Sequence, residues 1–308
     1  MKGPLRVAIV GAGNVGAVLG RILREGGGTV TAVVSRREAG ARRAAAFIGC
    51  RRHGESLALI PPSTDIVFLA VPHGAIAGVA AALAALEGLP FARIAVCHAS
   101  GMLSADVLAP VARRGAVTFS FHPLQTFPRP FPPKRILASA RGIYFGIDGG
   151  EAGLRAARRF ARALGGKTIV VPPPRRELYH AACVVASNHL TGLLAALEEM
   201  HAAVTGERAG GLAPYAPILE ATLANVLSSS PAGALSGPVA RGGVETLARH
   251  FEAVRQFCPG LLPYFAQMTR ETIALADRSG SLMPGRRAAM EALVRSISDT
   301  SHITGQTP

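Results

Sequence analysis

Residues 5–23 constrain this chain most. Leu5 to Val10 is a continuous apolar run, it ends in Gly11-Ala12-Gly13-Asn14-Val15-Gly16, and the apolar-periodic stretch Ala17 to Leu23 follows. A buried strand, a tight glycine turn and a helix in that order make a dinucleotide-binding unit. The glycine pattern alone is common in a sequence with 35 glycines, so its weight comes from the strand before it and the helix after it. Gly11 permits the turn, Gly13 lets the backbone approach a pyrophosphate, and Gly16 allows close helix packing. Asn14 and Val15 open the helix, whose first N–H groups face the phosphates. The β-branched run Val30 to Val34 reads as the second strand. At its end an NAD-binding chain places an acid for the ribose, whereas this sequence has Ser35-Arg36-Arg37. A hydroxyl and two guanidiniums suit a 2′-phosphate, and the expected cofactor is NADP(H). Solvated surface arginines are the plainer reading of the same pair.

The alternation continues with strands at Ile66 to Val71, Ile94 to Cys97 and Val117 to Phe121, each reached through an Ala- or Leu-containing segment. Thr126 to Arg135, with four prolines, reads as an exposed loop. Strand Ile143 to Ile147, helix Glu151 to Leu164 and strand Thr168 to Val171 close the series. This pattern predicts a doubly wound, mostly parallel α/β sheet. Pro172-Pro173-Pro174 is the natural linker. Beyond it Glu177 to Thr205, Leu212 to Leu227, Val244 to Phe257, Leu261 to Ala276 and Arg286 to Ile297 all read as helices. The expected domains are therefore 1–172, a nucleotide-binding sheet domain, and 173–308, an all-helical domain.

Composition narrows the function classes. At 308 residues and 49% hydrophobic content the chain can bury two cores. Its longest nearly uncharged apolar run, Gly74 to Leu86, is too short for a bilayer span, so no membrane segment is expected. The N-terminus lacks the apolar core of a signal peptide, and the expected location is the cytoplasm. Cys50, Cys97, Cys183 and Cys258 lie far apart, which suggests neither a disulfide framework nor a zinc site. Net charge is +14, but only Lys2, Lys134 and Lys167 among the 33 basic side chains are lysines, and the charge is spread along the chain. With no Trp and 5% aromatics, nucleic acid is not the expected partner.

Ligands of open α/β sheets gather at the carboxyl ends of strands. There the sequence places Val71-Pro72-His73, His98-Ala99-Ser100-Gly101 and His122-Pro123, so three successive strand ends deliver a histidine. His73 and His98 read equally well as satisfied structural histidines, whereas Ser100 and His122 are candidates for chemistry. Val71, Pro72 and His73 would line the cofactor. No close ligand pair suggests a metal. On the first long helix of the second domain, His180, Ser187 and Thr191 share one face at 100° per residue, with Asn188 at its margin. That stripe needs either a neighbouring helix or a ligand. Arg241, in Ser236-Gly237-Pro238-Val239-Ala240-Arg241-Gly242-Gly243, is placed to clamp an anionic substrate, to cap a helix or to meet another subunit.

Taken together, G-A-G-N-V-G, H-A-S-G-M-L, F-H-P-L-Q-T-F, L-Y-H-A-A-C-V-V-A-S-N-H-L and S-G-P-V-A-R-G-G resemble the bacterial Rossmann-like oxidoreductases that carry a helical C-terminal domain of unknown function. Their relatives are pyrroline-5-carboxylate reductase and the 6-phosphogluconate and 3-hydroxyisobutyrate dehydrogenases. The resemblance covers nearly the whole chain. It implies NADP(H) binding, a helical second domain like that of 6-phosphogluconate dehydrogenase, and a homodimer formed through it. It also implies reduction of a small anionic substrate, with ketopantoate as the first candidate. Departures exist: the lysine that 6-phosphogluconate-type dehydrogenases carry a turn before an asparagine on the first long helix is missing, since no lysine follows Lys167, and Gly243 stands where an acid usually ends the family's arginine motif. Ser100 and His122-Pro123 are similar in kind to a serine and a His-Pro near the nicotinamide of prephenate dehydrogenases.

The expected activity is hydride delivery to a 2-keto acid carbonyl. His122 or His180 would donate the proton, Asn188 and Ser100 would orient the carbonyl, and Ser187 and Arg241 would bind substrate. A cyclic-imine reductase and a non-catalytic NADPH sensor or partner-binding protein are the alternatives.

Overall fold

The computed structural model describes residues 3–128, 132–207 and 210–300. The first unit contains β1 (Arg6–Val10), α1 (Asn14–Glu25), β2 (Thr29–Val34), α2 (Glu38–Ile48), β3 (His53–Gly54) and β4 (Ile66–Leu69). It continues through α3 (Ile76–Ala84), β5 (Ala95–His98), the short α4 (Ala109–Ala112), β6 (Val117–Pro123), the short α5 (Pro133–Ile136), β7 (Tyr144–Asp148), α6 (Glu151–Ala163), β8 (Lys167–Val170) and α7 (Arg176–Val184). A π-helical turn at Val185–His189 leads to α8 (Leu190–Thr205), α9 (Ala216–Ser228), α10 (Val244–Phe257), α11 (Leu262–Arg278) and α12 (Pro284–Thr300).

The eight strands lie in the order β3-β2-β1-β4-β5-β6-β7-β8, all pairs parallel except β6 with β7. Side chains alternate in a strand, so a strand buried on both faces must be apolar throughout. β1 obeys this: Val7 and Ile9 join the core under α1 and α6, while Ala8 and Val10 join the opposite core under α3 and α4. β4 does the same with Ile66 and Phe68 against Val67 and Leu69. Strand order reverses between β1 and β4, and the crevice at such a reversal is where dinucleotides bind. Phe121 stacks between Phe145 and Phe160, with ring centroids at 4.2 and 4.6 Å. Truncating a buried Phe costs about 3–5 kcal/mol. The strand that presents His122 is thus pinned one residue before it.

The compact units divide between Ser187 and Asn188, downstream of the linker at residue 172 where the sequence placed the boundary. The reason is Arg176. It is 1% exposed and anchors α7 to the sheet, so the helix that the sequence assigned to the second domain is built into the first.

The second unit has its own core, built from α10, α11 and α12 around Phe251, Ile273, Met290 and Val294. No strand follows β8 among the described residues, as expected. α8 buries only His201, and α9 buries no residue. The helical run Pro173–Thr205 is long and apolar enough to cross a membrane by length and composition only, a test that core helices of soluble proteins also pass. Its scattered Ser, Asn, His and Thr hide it from a search for unbroken apolar runs.

Candidate functional site

The glycine turn is held where the sequence placed it. Gly11 has φ 117°, the left-handed region that favours glycine, and an ideal Cβ there would collide with the Ala70 carbonyl at the end of β4. Its N–H donates to Val34 O at 2.8 Å, tying the turn to the end of β2, where Ser35 follows. α1 starts on Gly13 with no side-chain cap and no acid in its first turn. Nothing lies within 4 Å of an ideal Cβ on Gly13. A helix N-terminus with uncapped N–H groups and open space before it fits a pyrophosphate.

Other cofactor candidates sit around this turn. Val15 packs on the core and Gly16 is buried. The Asn14 amide donates to Pro128 O at 2.8 Å and so fastens the loop after β6. Arg36 and Arg37 are exposed beyond β2, Arg37 as the residue preceding α2. Glu55 lies beside them, accepting the Glu38 N–H at 2.9 Å. Val71 packs partly on the core, and Pro72 and His73 are exposed.

At the ends of β5 and β6 the structure gathers Ser100, His122 and, from α7, Tyr179 and His180. His98 is buried. Its Nε2 lies 3.0 Å from Ser104 O, and Ser100 N–H donates to its Nδ1 at 3.2 Å. Burial lowers its pKa to about 4, so it is the neutral Nε2–H tautomer that shapes the turn. Ser100 Oγ accepts from the N–H groups of Met102 (3.3 Å) and Leu103 (3.2 Å) and lies 3.1 Å from His73 Nδ1. With both lone pairs taken, its O–H donates to His73. The hydroxyl expected to orient a carbonyl is occupied in shaping the turn.

His122 Nδ1 lies 2.8 Å from the Tyr179 hydroxyl, and its ring centroid lies 6.2 Å from that of His180. Gly101 sits under both imidazoles: an ideal Cβ would come within 2.6 Å of His180 Cδ2 and 3.1 Å of His122 Nε2. Burial, helped by the neighbouring His180, Arg176 and His98, lowers the His122 pKa to about 4. Burial pushes the Tyr179 phenol upward. The phenol thus holds the imidazole at Nδ1 and leaves Nε2 facing Gly101. Tyr179 rests against β7 at Gly146, where any Cβ would collide with its hydroxyl.

Behind this cluster lies a buried charge network. Arg176 Nη1 donates to Ser120 Oγ at 2.8 Å and to Asp148 Oδ2, and Nη2 donates to Ser100 O at 2.9 Å. Asp148 Oδ1 accepts the Ala105 N–H at 2.8 Å, and Ser120 Oγ donates to Asp148 Oδ2 at 2.8 Å. The sequence reading missed Tyr179, Arg176, Asp148 and Ser120. One signal was available, since Arg176, Tyr179 and Cys183 share a helix face at i, i+3 and i+7.

The remaining candidates are placed differently. Ser187 Oγ donates to Cys183 O at 2.8 Å, so part of the stripe is satisfied by its own helix. The π-turn at Val185–His189 breaks the 100° spacing on which the stripe was drawn. Asn188 and Arg241 are exposed residues of the second unit. Among the described residues no group of three or more His, Cys, Asp or Glu could hold a metal.

The two buried histidines make acid stability measurable. Each has a folded pKa of about 4 against an ordinary value of about 6.5, so the unfolded chain binds more protons between those limits. Stability is full above pH 6.5 and falls as pH drops towards 4, by on the order of 2–3 kcal/mol per histidine. Thermal melts from pH 7.5 to 4.5 should show this loss, and His122→Gln should remove part of it. A flat profile would contradict the buried neutral imidazoles.

Residues 1–123 match the Rossmann-like domain, and residues 143–272 match a domain of unknown function, DUF2520. No curated protein sequence matches. A Thermotoga maritima protein of solved structure is 24% identical, with 87% of this chain and 98% of that one covered and a TM-score of 0.63. A putative NADP oxidoreductase from Bacteroides fragilis is 20% identical, covering 88% and 98%, with a TM-score of 0.66. The pyrroline carboxylate reductase of Plasmodium falciparum, solved with NADP bound, is 10% identical, covering 93% and 98%, with a TM-score of 0.58. These likenesses establish the fold. The sequence resemblance is borne out: a Rossmann-like domain is followed by a domain of unknown function.

Proposed function

We propose that this chain, a Rossmann-like domain joined to a DUF2520 domain, is an NADP(H)-dependent oxidoreductase that reduces the carbonyl of a small 2-keto acid, ketopantoate being the first candidate. One observation carries the reading. The uncapped α1 N-terminus and the cluster of His122, Tyr179 and His180 both belong to the carboxyl-end side of one sheet, in one compact unit. When bound, the nicotinamide supplies a hydride to the carbonyl carbon. The protein must then stabilise and protonate the oxygen. His122 stays neutral and uses Nε2–H as a hydrogen-bond donor, its Nδ1 held by Tyr179. His180, across Gly101, donates the proton. The assignment rests on the first unit alone. The roles read from sequence for Asn188 and Arg241 are tested by their own Ala variants, as a rise in KM for the keto acid.

Imine reduction is the second reading, favoured by the neutrality of His122. A protonated imine needs no acid, so a site with one neutral histidine suits it. Loss of NADPH absorbance with ketopantoate, pyrroline-5-carboxylate and a panel of other keto acids and imines separates the two. Absence of turnover across the panel, with NADPH bound, would contradict both and favour a sensing protein.

The homodimer belongs to this proposal. Val204, Ile218, Leu223 and Leu227 are 82, 64, 56 and 77% exposed, and an apolar helix with no buried face needs a cover. A second copy supplies it. Light scattering on size-exclusion fractions should give a dimer, and Leu223→Glu with Leu227→Glu should give monomer. A wild-type monomer, or partition into vesicles through Pro173–Thr205, would contradict it. The four cysteines are all free, which suits the reducing cytoplasm.

A further inference from the structure

We infer that Arg176, Asp148 and Ser120 form a positioning staple that fixes the Ser100–Gly101 turn against the helix carrying Tyr179 and His180. Arg176 is the first residue of α7, and Tyr179 and His180 follow about one turn later on the same rigid element. From that position its guanidinium reaches Ser100 O with Nη2, and Ser120 and Asp148 with Nη1. Asp148 takes hold of the other end of the same loop through the Ala105 N–H. Both ends of the Ser100–Ala105 segment are therefore tied to one buried ion pair, and the pair is tied to the helix.

The chemistry of the pair argues for position over stability. Arg176 and Asp148 are 1 and 3% exposed, and two charges taken out of water at that depth gain little net stability, while an apolar pair of similar volume serves as well or better. Arg176 Nε is buried without a hydrogen-bond partner, an added cost that plain packing would avoid. What a planar fork alone provides is several donors at fixed angles, here aimed at β6, at β7 and at the turn that follows β5. His122, at the end of β6, and Ser120, two residues before it on the same strand, complete the frame. Displacing the turn moves Gly101, over which His122 and His180 close.

The inference deepens the proposed reductase reading and rests on it for its kinetic arm. Three variants are compared with wild type: Arg176→Lys, which keeps the charge and loses the fork; Arg176→Met with Asp148→Leu, which removes both charges together; and Ser120→Ala. Readouts are the melting temperature, NADPH affinity, kcat and KM on whichever panel compound wild type reduces, and the ¹⁵N resonances of His122, assigned with His122→Gln. The expected result is a double variant that melts near wild type and binds NADPH within about threefold. Its kcat should fall by about a hundredfold, the scale of a 1 Å misplacement. Its His122 resonances should lose the single-tautomer pattern set by Tyr179. Arg176→Lys should lose both as well, although its charge is kept.

A folded double variant with wild-type kcat and unchanged His122 resonances would overturn the inference. If neither Arg176 variant folds, Ser120→Ala carries the same decision, since it removes one hydroxyl and no charge. If wild type reduces nothing in the panel, the reductase reading fails. The His122 resonances then decide the staple on their own.

Discussion

His180→Ala is expected to lower kcat for a keto acid by about 10²–10⁴-fold while leaving NADPH affinity unchanged, because it removes the proton donor and not the glycine turn. The two histidines differ in a way the sequence does not reveal. Burial and neighbouring charge hold His122 neutral, with a pKa of about 4, and Tyr179 occupies its Nδ1. A neutral imidazole can polarise a carbonyl through its N–H but is a weak acid, as other enzymes with depressed histidine pKa values illustrate. His122→Ala should therefore reduce kcat less steeply than His180→Ala, by about the 10²–10³-fold typical of losing one donor to a developing oxyanion. Tyr179→Phe should fall between wild type and His122→Ala, since the ring stays and only the hydroxyl that fixes the tautomer is lost. With a protonated imine as substrate, the His180→Ala effect should shrink towards tenfold or less. Equal large losses on both substrate classes would contradict the separate roles.

Replacing Arg36 and Arg37 by alanine together is expected to weaken NADPH binding by about 10–100-fold and to leave NADH binding unchanged. The size follows from losing charge-assisted hydrogen bonds worth about 1.5–3 kcal/mol each, reduced here by exposure to solvent. Glu55, whose carboxylate accepts the Glu38 N–H at the start of α2, would repel a 2′-phosphate held by Arg36 and Arg37. Glu55→Gln should accordingly tighten NADPH severalfold, with an effect that fades at high salt. Titration of bound nicotinamide fluorescence with both cofactors measures all three. Equal loss for NADH and NADPH would show that the arginines support α2 and do not select a phosphate.

The sheet was legible because its strands are buried on both faces. Runs such as Val7 to Val10 and Ile66 to Leu69 have no reason to be apolar throughout except to lie between two helical layers. β3, at His53–Gly54, escaped notice because two residues have no period. The glycine turn was legible through Gly11, whose backbone no other residue adopts without strain. The charged frame of the site was not. Asp148 and Arg176 are 28 positions apart, and each reads alone as a surface charge until the fold buries both. The same pair explains why the unit boundary moved past the proline linker: α7 looks like the start of a helical domain by composition, yet Arg176 fastens it to the sheet. Ser187 shows a contact within its own helix that the sequence does not reveal. It reads as a substrate contact, and in the fold its hydroxyl donates to the carbonyl of Cys183.

The most direct test of the central claim is isotopic. NADPH carrying deuterium at the transferable C4 position is incubated with the enzyme and ketopantoate, and the organic acid is weighed by mass spectrometry. The account predicts a hydroxy acid heavier by one deuterium at the former carbonyl carbon, formed in step with NADPH oxidation and slowed together with it in His180→Ala. Ketopantoate recovered unchanged across the panel of keto acids and imines, from enzyme that demonstrably binds NADPH, would contradict it.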